Sequence, residues 1–206
     1  MKEWIKLPVV KDSTGLYINN LSIVEAWERP IQEQLAKSVC IGDHLEILEI
    51  GYGLGLSTRT VHTYCPKSHI LIEAHPDIAK NAKLELPNST SIIVAFWEDA
   101  VKWFKDEIFD GIIFDSYPFA AVPYNGTTDS TFEFIKDFLQ KGGRVLKKGG
   151  RLAFLDFSCK VHTISKFKDI CEERFSAFTA ISVPLSIPKQ CTYASGNSGN
   201  IIVLTK

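Results

Sequence analysis

The chain has 206 residues, 45% hydrophobic and 23% charged, which fits one globular domain with a short appendage and excludes a disordered chain. With 23 basic against 24 acidic side chains the formal net charge is -1, so the total advertises neither a nucleic acid nor an anionic membrane as partner. No C-x-x-C pair occurs among the cysteines at 40, 65, 159, 171 and 191, the first six residues are too charged for a signal peptide, and no apolar run nears the ~18 residues of a membrane span; a cytoplasmic protein is expected.

Taken in chain order, residues 1–44 read as an N-terminal extension, helical from Leu21, in which Pro30 kinks or restarts the helix. From residue 45 short β-branched runs alternate with helical patterns, so 45–206 is the main domain. Leu45 to Ile50 reads as a strand, followed by glycines and a helix to about Tyr64. A second strand runs from His69 to Ala74, and His75-Pro76-Asp77 opens a helix with proline in its first turn. Ser91 to Phe96 is a third strand with a helix starting near Glu98-Asp99, and Phe109 to Asp115 is a fourth. After a loop, Thr131 to Val145 reads as a helix with Phe132, Ile135, Phe138 and Leu139 on one face. Lys148-Gly149-Gly150 then predicts a tight turn into a fifth strand, Arg151 to Phe157, and a helix covers about 162–174. Two late strands, Ala180 to Leu185 and Asn200 to Thr205, have no helix between them and should pair antiparallel at the sheet edge. Such alternation implies an α/β fold, a Rossmann-like, mostly parallel sheet with helices on both faces and right-handed crossovers.

The segment Glu49-Ile50-Gly51-Tyr52-Gly53-Leu54-Gly55-Leu56 sits between the first strand and its helix. Glycines there let the backbone turn sharply and approach a ligand, while helix N-terminal amides face it. A dinucleotide site would read G-x-G-x-x-G to seat a pyrophosphate; here the spacing is G-x-G-x-G, with Leu56 at the next expected position. Glu49, two residues before Gly51, suits a cofactor with an amino-acid tail, because a carboxylate can hold an ammonium group. Glu73 ends the second strand 22 residues after Gly51, where its oxygens can accept from a ribose diol. The bland alternative is a plain glycine turn and a helix-capping Glu73; the order strand, glycine turn, helix, strand, terminal acid favours the cofactor.

This constellation resembles the class I S-adenosylmethionine-dependent methyltransferases, a resemblance that implies S-adenosyl-L-methionine as cofactor and a seven-stranded sheet with an antiparallel strand inserted near one edge. It also implies that Trp97 and Glu98, after the third strand, lie around the adenine. More narrowly, Phe109-Asp110-Gly111-Ile112-Ile113-Phe114-Asp115-Ser116-Tyr117-Pro118 is similar to the fourth-strand signature of guanidinoacetate N-methyltransferases and their arginine-methylating relatives. Val24-Glu25-Ala26-Trp27-Glu28-Arg29-Pro30 matches that family's E-x-W-E-x-P element, and Phe134-Ile135-Lys136, Leu146 to Gly150 and Cys191-Thr192-Tyr193-Ala194 match downstream. The similarity is collinear over about residues 20–206. By resemblance, Glu28 and Asp115 are the guanidino-binding and catalytic acids, with Ser116 and Tyr117 beside the substrate, and Asp115 also near the cofactor's methionine end. Residues 1–44, carrying Glu28, would be a helical lid over the active site.

The chemistry follows from residue types. Moving a methyl from a sulfonium to nitrogen is an in-line displacement, to which a protein contributes mainly positioning. A guanidinium has a pKa of ~12.5 or above and a delocalised lone pair, so paired carboxylates must fix its plane and accept its proton. Tyr117 can stack on a substrate or simply shape the turn before Pro118, and Trp27 reads as packing. The histidines at 44, 62, 69, 75 and 162 lack ligand spacing, so no metal is assigned. Relatives acting on guanidinoacetate use a basic residue near the N-terminus; here residues 1–28 hold no arginine and only Lys2, Lys6 and Lys11. The loop Phe119 to Gly126 is also less polar than the family's. Guanidinoacetate, arginine, agmatine and other biosynthetic guanidines all remain acceptors, for a monomer or homodimer. The alternatives are a protein or peptide arginine as acceptor, a nicotinamide-dependent oxidoreductase on the same fold, and a silent cofactor-binding subunit. Acids at 28, 49, 73, 98 and 115 are expected to converge on one crevice.

Overall fold

A computed structural model describes residues 3–117, 128–157, 161–171 and 174–206. The loop Phe119 to Gly126, with Pro118, lies outside the described residues. Seven strands form one sheet: β4 (Glu46–Ile50), β5 (Ser68–Glu73), β6 (Thr90–Val94), β7 (Phe109–Phe114), β8 (Leu146–Asp156), β9 (Ala177–Pro184) and β10 (Ser198–Thr205). Their order is β6-β5-β4-β7-β8-β10-β9, with β10 antiparallel to both neighbours and the rest of the pairs parallel. The expected α/β sheet, its inserted antiparallel strand and its late hairpin are therefore present. The chain leaves β4 toward β5 and β6 and returns on the other side to β7, so the order reverses between β4 and β7; in open α/β sheets ligands bind at that point.

Alternation along each strand divides the core. Leu48, Ile50, Ile112, Phe114, Leu152 and Phe154 face one layer, which includes Phe138 and Leu139 of α5 (Thr128–Gly142) and Phe167 and Cys171 of α6 (Val161–Cys171). Ile47, Ile113, Ala153 and Leu155 face the other, against Ile31, Leu35 and Val39 of α1 (Arg29–Val39) and Val61 of α2 (Leu56–Thr63). Two shorter helices, α3 (Pro76–Glu85) and α4 (Trp97–Ala100), follow β5 and β6. His75 caps α3 and Pro76 opens it, as the H-P-D sequence implies.

Two expectations change. The helix expected from Leu21 begins only after Glu25, with the turn Ala26–Glu28 and α1: β1 (Val9–Lys11), β2 (Gly15–Ile18) and β3 (Leu21–Glu25) form a three-stranded antiparallel sheet. Asn19 and Asn20, at φ 48 and 63°, make a two-residue hairpin turn with Ile18 opposite Leu21, the left-handed pair that asparagine tolerates. Pro30 sits in the first turn of α1, so it starts the helix and kinks nothing. The N-terminal sheet packs Leu16, Ile18 and Val24 on Tyr52, Leu54 and Leu56, covering the glycine turn. The second change concerns Lys148-Gly149-Gly150, which lies inside β8. Phe109 pairs with Leu146 and Gly111 with Arg151, so the residues between make an excursion, held where the Gly149 amide donates to the Lys206 carbonyl at 2.7 Å.

Candidate active site

The ends of β4 and β7 lie side by side. The Asp115 amide donates to the Ile50 carbonyl at 3.0 Å, and the Gly51 amide donates to Ile72 at 2.9 Å, so the ladder continues just past the strands. Gly51 has φ +92°, and a Cβ there would stand 2.2 Å from the Asp115 carbonyl oxygen. Glycine at 51 is thus required twice, by backbone conformation and by the close approach of Asp115.

Glu28 reaches this point from the other side. It ends a 3-10 turn, Ala26–Glu28, and is 3% exposed. A capping box fixes the turn: Glu28 Oε1 accepts from the Glu25 amide at 2.8 Å, and the Glu25 carboxylate returns the contact. Glu25 also accepts from Ser22 and from the Trp27 indole, both at 2.8 Å. Glu28 Oε1 receives a second bond, 2.5 Å, from the Tyr193 hydroxyl. Trp27 stacks on that tyrosine at 5.9 Å and 24°, and Phe157 meets Trp27 edge-on at 5.8 Å. Trp27 is accordingly packing, as the sequence suggested.

Gln32, four residues after Glu28 on α1, links the two acids. Its Nε2 donates to Asp115 Oδ2 at 2.7 Å, the side chain also acts on Glu28, and the residue is 2% exposed. Among the described residues no lysine or arginine pairs with Glu28 or Asp115. Burial therefore pushes the Glu28 carboxyl up to about 8, with the Asp115 charge adding to the rise and the Tyr193 and Glu25 bonds opposing it. Burial likewise lifts Asp115 to about 6, opposed by Gln32 and assisted by the charge of Glu49.

On the opposite side of the glycine turn, Glu73 is buried at the end of β5. Its oxygens accept from the Tyr52 amide at 2.9 Å and the His75 amide at 2.8 Å, and the Ala74 and Gly53 amides also bond it. Burial raises its pKa. Gly53 and Gly55 also have positive φ, 53 and 66°, and a Cβ on Gly55 would strike the Tyr52 ring at 2.6 Å. Glu49 is fully buried on the α1/α2 side of the sheet: Ser57 Oγ donates to its Oε1, and His69 Nε2 lies 3.0 Å from its Oε2. It influences Asp115 through its charge.

Trp97, 3% exposed, is edge-on to Phe114, Phe134 and Phe138 at 5.8, 5.8 and 5.1 Å, so most of the indole belongs to the core. Its Nε1 and the Oε2 of Glu98 are buried without a hydrogen-bond partner among the described residues. Ser116 is half-buried beside Asp115, and Tyr117 is exposed with its hydroxyl 3.5 Å from the Leu155 carbonyl. The fold thus brings Glu28 to Asp115 and sets Glu73 against the glycine turn, while Glu49 faces inward. The sequence reading assigned no role to Gln32 or Tyr193. Spacing of four from Glu28 was a signal for Gln32; Tyr193 carried only its place in the C-T-Y-A match.

A family profile described as guanidinoacetate N-methyltransferase matches residues 6–194. The chain is 29% identical over 123 residues to protein arginine N-methyltransferase 2 of Candida glabrata, covering 54% of this chain and 29% of that protein. It is 27% identical over 138 residues to the protein of the same name from Aspergillus oryzae, covering 65% of this chain and 31% of the relative. The chain therefore spans about three tenths of the length of these curated relatives. Among solved structures, spermidine synthase from Thermotoga maritima superposes with TM-score 0.66 at 19% identity, over 93% of this chain and 64% of that one. A tRNA (m1A58) methyltransferase from Aquifex aeolicus gives 0.64 at 14% identity, over 99% and 74%. These two share the fold.

Proposed function

The chain belongs to the guanidinoacetate N-methyltransferase family of class I S-adenosylmethionine-dependent methyltransferases, and from that premise we propose that it N-methylates the guanidino group of a small molecule. The observation that carries this reading is the pair Glu28 and Asp115: a buried and a half-buried carboxylate, joined by one carboxamide and accompanied by no cation among the described residues. Burying like charges together is unfavourable unless something positive completes them. A guanidinium does so, and its planar N–H fork matches carboxylate oxygens.

The cofactor's side of the crevice fits as well. Glu73 stands at the end of β5 beside the glycine turn, the turn from Gly51 through Gly53 to Gly55 offers backbone, and Glu98 Oε2 and Trp97 Nε1, unpartnered among the described residues, suit an adenine edge. Glu49, committed to Ser57 and His69, would favour a cationic tail by its charge, and Asp115 would lie near the cofactor's methionine end. When bound, S-adenosylmethionine supplies a methyl carried on a positively charged sulfur. Glu28 and Asp115 would hold the guanidinium plane so that one nitrogen faces that methyl, and would take the proton this nitrogen sheds as its lone pair forms the N–C bond. The segment 1–44 would act as a lid, because its strands pack over the glycine turn and it delivers Glu28.

The test is transfer of labelled methyl from S-adenosylmethionine to guanidinoacetate, arginine and agmatine. Transfer to at least one of them is expected; transfer only to a phenol or a carboxylate would overturn the acceptor class. A second reading has favour from the relatives named protein arginine N-methyltransferase 2, in which the acceptor is an arginine side chain of a protein. An arginine-containing peptide in the same assay separates the two.

A further inference from the structure

Gln32 has an unusual position for a carboxamide. It is 2% exposed, lies between two acids, and is oriented by the 2.7 Å bond from its Nε2 to Asp115 Oδ2. An ionised carboxylate only accepts, so the amide nitrogen must face Asp115 and the amide oxygen must point elsewhere. That oxygen, Oε1, is buried and has no hydrogen-bond partner among the described residues. A buried acceptor left unpaired is costly, and such an atom persists in a site where a ligand completes it.

The acceptors around it are already partly spent. Glu28 Oε1 takes the Tyr193 hydroxyl and the Glu25 amide, and Asp115 Oδ2 takes Gln32 itself. This leaves the second oxygen of each acid and Gln32 Oε1 as the acceptors a ligand would meet. A singly substituted guanidinium brings five N–H groups in one plane, more than two carboxylate oxygens use. Resting on the guanidine reading above, we infer that Gln32 is a specificity-determining residue. Its Oε1 accepts an N–H of the bound guanidinium, so the site requires that donor and rejects a guanidine whose N–H has been replaced by methyl. A site built to hydrogen-bond a substrate N–H discriminates strongly against an analogue that lacks it, because its own buried group is then left unpaired.

The measurement compares kcat/KM for the best acceptor among guanidinoacetate, arginine and agmatine with that for its Nω-methylated counterpart. In the unaltered protein the unmethylated compound is favoured on the order of 100-fold. Gln32→Met, of similar length without polar atoms, lowers kcat/KM for the unmethylated acceptor on the order of 10- to 100-fold, brings the ratio within about tenfold, and adds dimethylated product. Affinity for S-adenosylhomocysteine, read by calorimetry, stays within a few-fold and reports an intact fold. Gln32→Glu, protonated at neutral pH beside two other carboxyls, restores a donor and an acceptor and should recover the preference. An unchanged ratio in Gln32→Met, or no discrimination in the unaltered protein, overturns this inference and leaves the guanidine reading standing. Absence of transfer to any guanidine removes both.

Discussion

The same two strands carry acid pairs at both ends, and the pairs live in opposite electrostatic conditions. At the amino ends of β4 and β7, Glu46 and Asp110 share Lys147, whose Nζ lies 2.9 Å from each, and Lys67 adds a contact to Glu46 at 3.1 Å. Those lysines hold Glu46 below its usual carboxylate range, and Glu46 and Asp110 raise Lys147 in return. At the carboxyl ends, Asp115 and the inserted Glu28 meet a carboxamide, a phenol and backbone amides, and both carboxyls sit well above their usual range. The first pair is completed by the protein itself and reads as structure. The second meets no cation among the described residues, as the proposed guanidinium site would require. Acidity alone does not separate the two ends; the identity of the neighbours does.

The most forceful way to break this contrast is to neutralise one acid at each end. Asp115→Asn should lower kcat on the order of 1,000-fold or more while S-adenosylhomocysteine affinity stays within a few-fold, and Asp110→Asn should leave kcat within about twofold. Equal losses in a steady-state methyl-transfer assay would erase the distinction. Stability should move the other way. Glu28→Gln removes a buried charge that the fold tolerates for function, so at pH 8.5 it should stabilise the ligand-free protein by about 1–2 kcal/mol in urea unfolding. Lys147→Met, which strands two partly exposed acids, should destabilise by about 0.5–1 kcal/mol.

The finest probe is pH. In the free protein Glu28 titrates near 8 and Asp115 near 6, and a guanidinium needs both ionised. The value of kcat/KM, which reports the free protein, should therefore climb as pH rises from 6 and level off above about 8, while kcat, which reports the complex with the cation bound, should level off at lower pH. Stability follows the same groups with the opposite sense. Folded Glu28 keeps its proton between the unfolded value of 4.5 and about 8, so its contribution favours the fold at low pH and is lost as pH rises through that window. Glu46, held low by its lysines, contributes stability above its unfolded pKa and loses it as pH falls. Thermal unfolding of Glu28→Gln and of a Glu46→Gln variant across pH 4–9 should show these slopes disappearing one at a time; identical profiles would remove the contrast.

Much of this was legible in the chain. The β-branched runs from residue 45 onward, the G-x-G-x-G turn and the terminal acids at 73 and 115 all rest on local pattern, and the sheet places them as expected. Local pattern misled where a turn's chemistry outweighed periodicity: Asn19-Asn20 encodes a hairpin, and the apolar run Leu21 to Glu25 that follows was read by its helical neighbours. Lys148-Gly149-Gly150 has the composition of a turn, yet strand pairing on both sides absorbs it as an excursion. Spacing of four hints at Gln32 beside Glu28, but local spacing carries no sign of the contacts made across the fold. Gln32 to Asp115 spans 83 positions and Tyr193 to Glu28 spans 165, and only the three-dimensional path of the chain pairs them.

That last contact has a consequence for biosynthesis. The parallel half of the sheet can begin to assemble as residues 46–114 leave the ribosome, since those contacts are mostly between successive elements. Glu28 has no such privilege. Although it emerges early, its carboxylate gains the Tyr193 hydroxyl only after a further 165 positions have been made, and closing so long a loop is entropically the last thing a growing chain does. A nascent chain stalled before that point would already own the glycine turn and one of its two acids in place, but would lack the tyrosine that orients the other.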